Sequence, residues 1–413
     1  MRYFAFVAVL CAIGGLDCAR AETVAIHATK IYPAPDKPTI TDGVVVIRDG
    51  KITAVGPRNR VKIPKDARVS ECSGVVTAGF QNSHVHFTER IWDDASSQPA
   101  KDLERHLEAM LTRYGFTTVF DTGSDGANTI ALRTRIQNGG VRGPRILTVG
   151  LPLYPPDGIP SYINDLPPEL LAKMHLPRTV EDARADVRAN LAAGADATKL
   201  FLHTSPGQGV VTRMSAEVAR AAAEETHARS KLVFSHPTSV EGVRTAITAG
   251  VDILVHTTLG EKAPWDAELM RQMTAKKMSV IPTFKLWKYE LRKDGAPEEV
   301  IDKLIGATLQ ELRNFISAGG QVLFGTDVGY MHEYDPTDEY VYMAQANMTP
   351  MQILASLTTA PAERWKEDQR RGRLVPSADA DLVVLAGDPA DDVRNFAQVR
   401  CTIRDGKPIY RAP

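Results

Sequence analysis

Residues 77–86 read TAGFQNSHVH, a run that predicts a β-strand ending in His84-Val85-His86. Side chains two residues apart on a strand point to the same face, so both imidazoles project to one side. Two neutral imidazoles that face a common point make half of a metal site. A His-x-His motif alone is a weak indication of a metal site. Its position in the predicted fold determines whether a metal site is expected.

Seven more strand-like runs follow, and amphipathic helical patterns separate them. The eight runs are residues 80–87, 117–121, 145–149, 198–203, 232–236, 253–256, 279–283 and 322–327. Apolar strands that alternate with such helices indicate a parallel sheet with both faces covered. Eight units predict an α/β fold, a (β/α)8 TIM barrel, over residues 77–366. The alternative, an open doubly wound sheet, would need a Gly-rich first turn for a nucleotide, and none is found.

Both chain ends are rich in β-forming residues. Asp49-Gly50 and Asp405-Gly406 are hairpin turn signals within residues 22–76 and 367–413. We therefore expect a small composite β-sandwich made by the two ends. Cys72 and Cys401 lie in its two halves and could pair in an oxidising compartment. Since the sequence gives no geometry for that pair, two free thiols are the favoured expectation.

The first 21 residues resemble a signal peptide. A basic start at Arg2 precedes an apolar run over residues 4–16, and Ala19-Arg20-Ala21 supplies small residues at a cleavage site. We expect cleavage before Glu22 and a secreted or periplasmic protein; a buried N-terminal helix is the alternative. No later apolar stretch is long enough for a membrane span.

Composition limits the partners. The 413 residues are 43% hydrophobic and 24% charged, which is ordinary for globular proteins and excludes a disordered chain. With 49 basic and 50 acidic side chains there is no basic field for nucleic acid or an anionic membrane. The expected partner is a small-molecule substrate. A homo-oligomer is allowed but not required.

Further chemical side chains lie near the ends of the predicted strands. They are Lys199, His236, His256 and Asp327. Because a barrel keeps its site at the carboxyl ends of its strands, these groups are expected to meet His84 and His86. Burial lowers the pKa of a lysine such as Lys199, and the neutral amine can react with CO2 to give a carbamate. The alternative is that the ammonium group of Lys199 stays hydrated, or forms a salt bridge with Asp196 or Glu225.

Several motifs carry a family resemblance that runs almost end to end. They are residues 77–86 (TAGFQNSHVH), 143–147 (GPRIL), 194–199 (GADATK), 249–252 (AGVD), 325–327 (GTD) and 380–385 (ADLVVL). In these motifs the chain resembles the amidohydrolase superfamily, in its imidazolonepropionase-like and Xaa-Pro-dipeptidase-like branch.

The resemblance implies a metal-dependent hydrolase of amide-like C–N bonds with two divalent ions, expected to be zinc. It implies that His84 and His86 bind one ion beside Asp327, and that His236 and His256 bind the second. Lys199 is implied to be N-carboxylated and to bridge the ions, which share a hydroxide. Asp327 is implied to be the catalytic residue that accepts and returns the proton.

The sequence departs from the branch pattern around two of these ligands, in His236-Pro237-Thr238-Ser239 and in Val255-His256-Thr257. The orientation of a metal ligand depends on the residues next to it, so the substrate of the related enzymes cannot be assigned to this chain from the resemblance alone. A dipeptide or an N-acyl amino acid is the expected substrate. Candidate substrate-binding residues are His332, Lys285, which could oppose an anion, and Tyr154 in the proline-rich loop 151–178.

The sequence is also compatible with two other functions. A mononuclear cyclic-amide hydrolase or deaminase of imidazolonepropionase type needs no carboxylated lysine, so Lys199 argues against it. A catalytically silent barrel that serves as a binding protein is expected to have lost ligands, whereas all six candidate positions are filled here.

Overall fold

The computed structural model describes residues 22–163, 168–207, 210–261 and 264–413. The predicted signal peptide, residues 1–21, lies outside the described residues. Across the described ranges, no helix is both long enough and apolar enough to cross a membrane.

Strands from both chain ends pair in one sheet. They are β1 (Thr23–Ile31), β2 (Ile40–Arg48), β3 (Lys51–Pro57), β4 (Arg68–Val69), β5 (Gly74–Ala78), β16 (Leu382–Leu385), β17 (Val399–Arg404) and β18 (Lys407–Arg411). The order is β18-β17-β16-β5-β1-β2-β3, with β4 beside β1. The two ends meet where β5 and β16 pair antiparallel, with Ala78 opposite Leu382. The described strands of the two chain ends all belong to this one sheet, so they do not include the separate second sheet expected for the predicted sandwich.

Both predicted hairpins are present. Asp49 and Gly50 have φ of 52° and 72° and join β2 to β3, with Arg48 opposite Lys51. Asp405 and Gly406, at 49° and 75°, join β17 to β18 in the same way. Two consecutive left-handed residues suit the right-handed twist of the flanking strands, which is why Asp-Gly predicts this turn.

The expectation of two free thiols was wrong. Cys72 and Cys401 form a disulfide across 329 residues of sequence, with Cα atoms 6.2 Å apart. That separation lies within the range that a disulfide requires. The pairing follows from the sheet order, which brings both cysteines into one buried cluster with Val76 and Val384.

The middle of the chain forms two parallel sheets, which makes the fold α/β. One contains β6 (Phe80–Val85), β7 (Phe116–Asp121) and β8 (Arg145–Thr148); the other contains β9 (Ala197–Phe201), β12 (Leu232–His236), β13 (Ile253–Val255), β14 (Ser279–Ile281) and β15 (Gln321–Val322). A hairpin of β10 (His203–Gly207) and β11 (Val210–Arg213) follows β9. The predicted run 322–327 is largely irregular, because the chain turns sharply at Asp327, where φ is 62°.

Individual backbone hydrogen bonds connect the two parallel sheets at both seams. At one seam the amide of Asp196 donates to the carbonyl of Thr148 (2.7 Å). At the other the amide of Ser83 donates to Phe324 (2.7 Å) and that of His86 to Val328 (2.8 Å). The segment that carries Asp327 therefore runs beside the strand that carries His84.

Helices cover the sheets. They are α1 (Ala100–Met110), α2 (Gly126–Gln137), α3 (Pro168–Leu171), α4 (Val180–Ala192), α5 (Ala216–His227), α6 (Val240–Ala249), α7 (Ala267–Ala275), α8 (Phe284–Lys293), α9 (Glu298–Ser317), α10 (Thr337–Gln345), α11 (Pro350–Leu357) and α12 (Thr359–Arg364). Helix α9 buries Ile301, Ile305 and Leu309, four residues apart, on one face. Helix α4 begins with a capping box between Thr179 and Asp182, which satisfies its first amides.

Candidate metal centre

Three buried side chains lie close enough to hold one metal ion. The possible ligand atoms of His84, His256 and Asp327 all lie within 4.8 Å of one another. Asp327 Oδ1 is 3.3 Å from His84 Nε2 and 3.0 Å from His86 Nε2, and Oδ2 is 3.8 Å from His256 Nε2. Three of the other five predicted ligands, all histidines, therefore surround the carboxylate of Asp327.

Strained backbone places two of these side chains. His256 and Asp327 have φ of 73° and 62°, in the left-handed region that residues with a Cβ rarely adopt. The turn at Asp327 is fixed because the amides of Thr326 (3.2 Å) and Asp327 (2.9 Å) both donate to the carbonyl of His84. Strain of this kind persists where the surrounding structure fixes it, which is common at functional sites.

The hydrogen bonds of His86 decide which of its nitrogens carries the proton. Its Nδ1 lies 2.6 Å from the carbonyl oxygen of Gly123, which can only accept, so Nδ1 carries the hydrogen. Its Nε2 faces Asp327 Oδ1, 3.0 Å away. When that nitrogen carries no hydrogen, two acceptors face each other at this distance, and a cation between them would be stabilising. The donor set thus fits a divalent ion.

His256 is oriented in the same way. The hydroxyl of Thr283 donates to the carbonyl of Pro282 (2.8 Å) and is therefore free to accept from His256 Nδ1. That leaves His256 Nε2 unprotonated and directed at Asp327 Oδ2. Burial also lowers the pKa of His256 well below its usual value, which keeps the ring neutral.

The charges of the cluster agree with this geometry. Burial lowers the pKa of His84 to about 3, so its ring is neutral near pH 7. For Asp327, burial acts to raise the pKa, but the interactions with His84 and His86 outweigh this effect. The pKa of the carboxyl therefore lies well below its usual value, and the group stays ionised. Neutral imidazoles and an ionised carboxylate are the forms that bind metal ions.

His236 extends the cluster. Its ring centroid lies 4.7 Å from that of His256 and 4.9 Å from that of Phe201, on which it stacks. Residue Phe201 lies opposite His236 in the parallel pairing of β9 and β12. The parallel register thus delivers His236 to the same edge as the other histidines.

Lys199 lies beside this ring stack. It precedes Phe201 by two residues on β9, and its Nζ is 5.0 Å from the centre of the Phe201 ring. The side chain is 1% exposed, and burial lowers its pKa to about 8. The alternative ion pairs are not formed, since Asp196 binds Arg133 (2.8 Å) and Glu225 binds Arg229 (2.6 Å).

Sequence reasoning missed Asp121, the last residue of β7. Its carboxylate is fully buried and accepts from the amide of Gly123 (3.2 Å), the hydroxyl of Ser124 (2.6 Å) and the hydroxyl of Thr148 (2.8 Å). It thereby holds the turn whose carbonyl orients His86. An acidic residue that ends a predicted barrel strand was the available signal.

The predicted substrate-binding residues lie in three different environments. Lys285 is buried, and its ammonium donates to the carbonyls of Glu333 and Asp335. The side chain of His332 is 71% exposed, with Nδ1 3.4 Å from a Glu89 oxygen. Tyr154 stacks on Phe201 at 4.5 Å and so reaches the ring stack beside His236. Their substrate roles stay predictions.

Trp287 and His203 also lie near the candidate centre, and both side chains form hydrogen bonds. The ring of Trp287 lies 5.5 Å from that of His256, and its indole N–H donates to the hydroxyl of Thr257 (3.0 Å). His203 is buried, with Nδ1 2.8 Å from the hydroxyl of Ser239, the residue that caps α6. Trp287 thus borders the candidate centre, and His203 contacts a helix cap.

The chain is similar to known proteins over most of its length. A family model, the amidohydrolase family, matches residues 75–409. The chain is similar to a candidate prolidase from Bifidobacterium longum, with 27% identity, a TM-score of 0.78 and coverage of 94% of this chain and 95% of that one. It also shares its fold with a Xaa-Pro dipeptidase with bound methionine in the active site (22% identity, TM-score 0.79, 95% and 100% coverage) and with A. niger ochratoxinase (20%, 0.77, 95% and 96%). No curated protein matches the chain.

Proposed function

Since this chain belongs to the amidohydrolase family and is a hydrolase that acts on carbon–nitrogen bonds, we propose that it is an exported enzyme that uses two divalent metal ions to cleave an amide-like bond of a small substrate. The family resemblance read from the sequence is confirmed. The reaction adds water to the carbonyl carbon, breaks the C–N bond, and releases an acid and an amine.

One observation carries the proposal. The Nε2 atoms of His84, His86 and His256 lie 3.3 Å, 3.0 Å and 3.8 Å from the oxygens of one buried carboxylate, that of Asp327. The carbonyl of Gly123 takes the Nδ1 hydrogen of His86 at 2.6 Å, so Nε2 is the nitrogen that faces the cluster. Three imidazoles that converge on a single buried carboxylate are more than one ion pair needs, and they make a donor set for a cation.

We assign the ligands as the sequence suggested. His84, His86 and Asp327 would hold one ion, and His236 and His256 the second, with N-carboxylated Lys199 between them. Imidazole and carboxylate ligands suit zinc but accept other divalent ions. Bound metal would supply a water of lowered pKa and polarise the substrate carbonyl.

Asp327 is the group proposed to move the proton. Its Oδ1, which lies 3.3 Å and 3.0 Å from the Nε2 atoms of His84 and His86, would bind the ion that these rings hold. Its Oδ2 would accept a proton from the attacking water and return it to the leaving nitrogen. The surrounding imidazoles keep it ionised at the start of this cycle.

We propose that the two parallel sheets form one closed (β/α)8 barrel over residues 77–366, with residues 22–76 and 367–413 as the composite end domain. The seam hydrogen bonds from Asp196 to Thr148 and from Ser83 to Phe324 support closure. A closed barrel would bring all the carboxyl ends of the strands to one rim.

We also propose export, with residues 1–21 as a cleaved signal peptide. The Cys72–Cys401 disulfide supports this, because such bonds persist in oxidising compartments and are rare in reducing ones. Dipeptides and N-acyl amino acids stay the substrates expected from the sequence. Both carry a carboxylate on the leaving group.

A second candidate is a mononuclear cyclic-amide hydrolase or deaminase of imidazolonepropionase type. The specific observation in its favour is that His84, His256 and Asp327 form one compact trio by themselves. Such an enzyme would need neither a second ion nor a modified Lys199.

Metal content of the purified mature protein distinguishes these candidates. Two ions per chain, reduced in Lys199→Ala, support the binuclear enzyme. One ion that is unaffected by the substitution supports the mononuclear enzyme. Protein that binds no divalent ion contradicts both. Lys199→Met is the matched control for lost volume, because it keeps the long side chain and removes only the amine.

A further inference from the structure

Aromatic rings surround the candidate metal centre on two sides. Trp287 lies 5.5 Å from His256, and Phe201 stacks on His236 at 4.9 Å. Tyr330, three residues after Asp327, makes an edge contact with Tyr162 of the long loop at 5.6 Å. Phe201 is buried and stacks on Tyr154 as well as on His236, so its faces are occupied. We call Trp287, Tyr162 and Tyr330 the aromatic rim. Such rings favour flat, apolar groups next to the scissile bond.

Lys285 and His332, the side chains expected to bind an anionic substrate, already contact other groups of the protein. Lys285 Nζ donates to two backbone carbonyls, including that of Asp335 at 2.8 Å, and lies 4.0 Å from the Glu333 carboxylate. His332 Nδ1 lies 3.4 Å from Glu89. A substrate carboxylate would have to break one of these contacts.

One carboxylate, that of Glu290, lies against the rim. Another, that of Glu89, follows the predicted ligand His86 by three residues and accepts from the hydroxyl of Tyr334 at 2.7 Å. Glu290 accepts from the hydroxyl of Tyr330 at 2.9 Å, so its charge is held against the rim. Lys293 offsets Glu290 only partly, at 3.7 Å and with its side chain 53% exposed. A second carboxylate brought here would be repelled.

We propose that the enzyme prefers amides whose leaving group is aromatic and carries no carboxylate. This preference rests on the proposed function and narrows its substrate class. It departs from the dipeptides and N-acyl amino acids expected from the sequence, because those release an amino acid with an ionised carboxyl group. The rim recognises the leaving ring, and Glu89 and Glu290 disfavour a negative charge on it.

The test compares two substrates with the same scissile bond, acetanilide and 4-acetamidobenzoate, together with a dipeptide. We expect kcat/KM for acetanilide to exceed that for 4-acetamidobenzoate by at least about tenfold. Equal or higher kcat/KM for the carboxylate, or cleavage of the dipeptide alone, overturns the preference and leaves the hydrolase proposal intact. Metal-loaded enzyme that cleaves no amide overturns both.

Variants that remove one charge test whether the carboxylates of Glu290 and Glu89 cause the preference. Glu290→Gln and, independently, Glu89→Gln should raise kcat/KM for 4-acetamidobenzoate several-fold relative to acetanilide. The control is Glu71→Gln, since the Glu71 side chain is 82% exposed and pairs with Arg411 in the end sheet. An unchanged ratio in Glu290→Gln and in Glu89→Gln contradicts the electrostatic part of the proposal.

The aromatic part has its own variant. Tyr162 is 43% exposed, so Tyr162→Leu should fold normally. We expect it to raise KM for acetanilide severalfold while KM for N-cyclohexylacetamide, which lacks the flat ring, changes little. Equal changes in both KM values would contradict ring recognition.

Discussion

The Nδ1 atom of His86 and the carbonyl oxygen of Gly123 lie 2.6 Å apart, and this contact fixes the tautomer of a candidate metal ligand. The turn that presents the carbonyl is held by Asp121, which accepts from the Gly123 amide at 3.2 Å. The geometry of the centre therefore depends on a carboxylate whose own hydrogen bonds go to Gly123, Ser124 and Thr148.

The first prediction concerns that carboxylate. Asp121→Ala should weaken metal binding by about 10- to 100-fold, because the turn that orients His86 loses its anchor. Chelator competition measures the affinity. Asp125→Ala, which removes the N-cap of α2 in the same loop, is the control. Wild-type affinity in Asp121→Ala would mean that the turn holds its shape unaided.

The second prediction concerns Asp327. Asp327→Asn should retain much of the bound metal but lower kcat by at least about 100-fold, because the amide cannot accept the proton. Metal content and steady-state kinetics are measured on the same preparation. A near-wild-type rate would remove Asp327 from the proton transfer.

The third prediction concerns the disulfide. Replacing Cys72 and Cys401 by serine should lower the free energy of unfolding by about 2–4 kcal/mol, because the bond closes a very long loop. Urea unfolding with and without reductant measures the change. Titration of denatured, unreduced protein should find neither thiol free, and two free thiols would contradict the bond.

The fourth prediction concerns pH. Glu339 is buried with Oε1 unpartnered among the described residues, and burial raises its pKa from 4.5 to about 8. Between these values the folded protein holds a proton that the unfolded chain releases, so this group lowers stability as pH rises from about 4.5 to about 8. Glu339→Gln cannot ionise and should lose less stability over that range.

Urea unfolding at pH 5.5 and pH 8 measures this difference. The metal ligands are the same in both proteins, so their contribution to the pH dependence of the free energy of unfolding cancels in the comparison. Glu108→Gln, on the exposed face of α1, is the matched control and should follow the wild type. Parallel loss of stability in wild type and Glu339→Gln would show that Glu339 is ionised in the folded protein.

Periodicity made much of the fold predictable. Strands such as β12 were placed correctly because a short apolar run bounded by turns is a local signal, and both Asp-Gly hairpins follow from backbone preferences. His84, His86, His256 and Asp327 meet as expected, because parallel strands end at a common edge. That argument needs only the direction of each strand.

The remaining features depend on contacts between distant segments. Nothing near Lys285 in the sequence shows that its ammonium is used by the carbonyls of Glu333 and Asp335. Asp and His adopt the left-handed conformation more often than most residues with a Cβ, but it stays uncommon for them, so the turns at His256 and Asp327 likewise depend on tertiary hydrogen bonds. The disulfide required the sheet order, which local patterns do not give.

The end sheet imposes an order of assembly on the growing polypeptide. Strands β1 to β5 are synthesised first, yet β5 gains its antiparallel partner β16 only when nearly the whole chain has been made. Until then β5 presents an unpaired apolar edge that can join other chains. Products of interrupted translation should therefore aggregate, and a chaperone that shields the early strands would raise the yield of the complete enzyme.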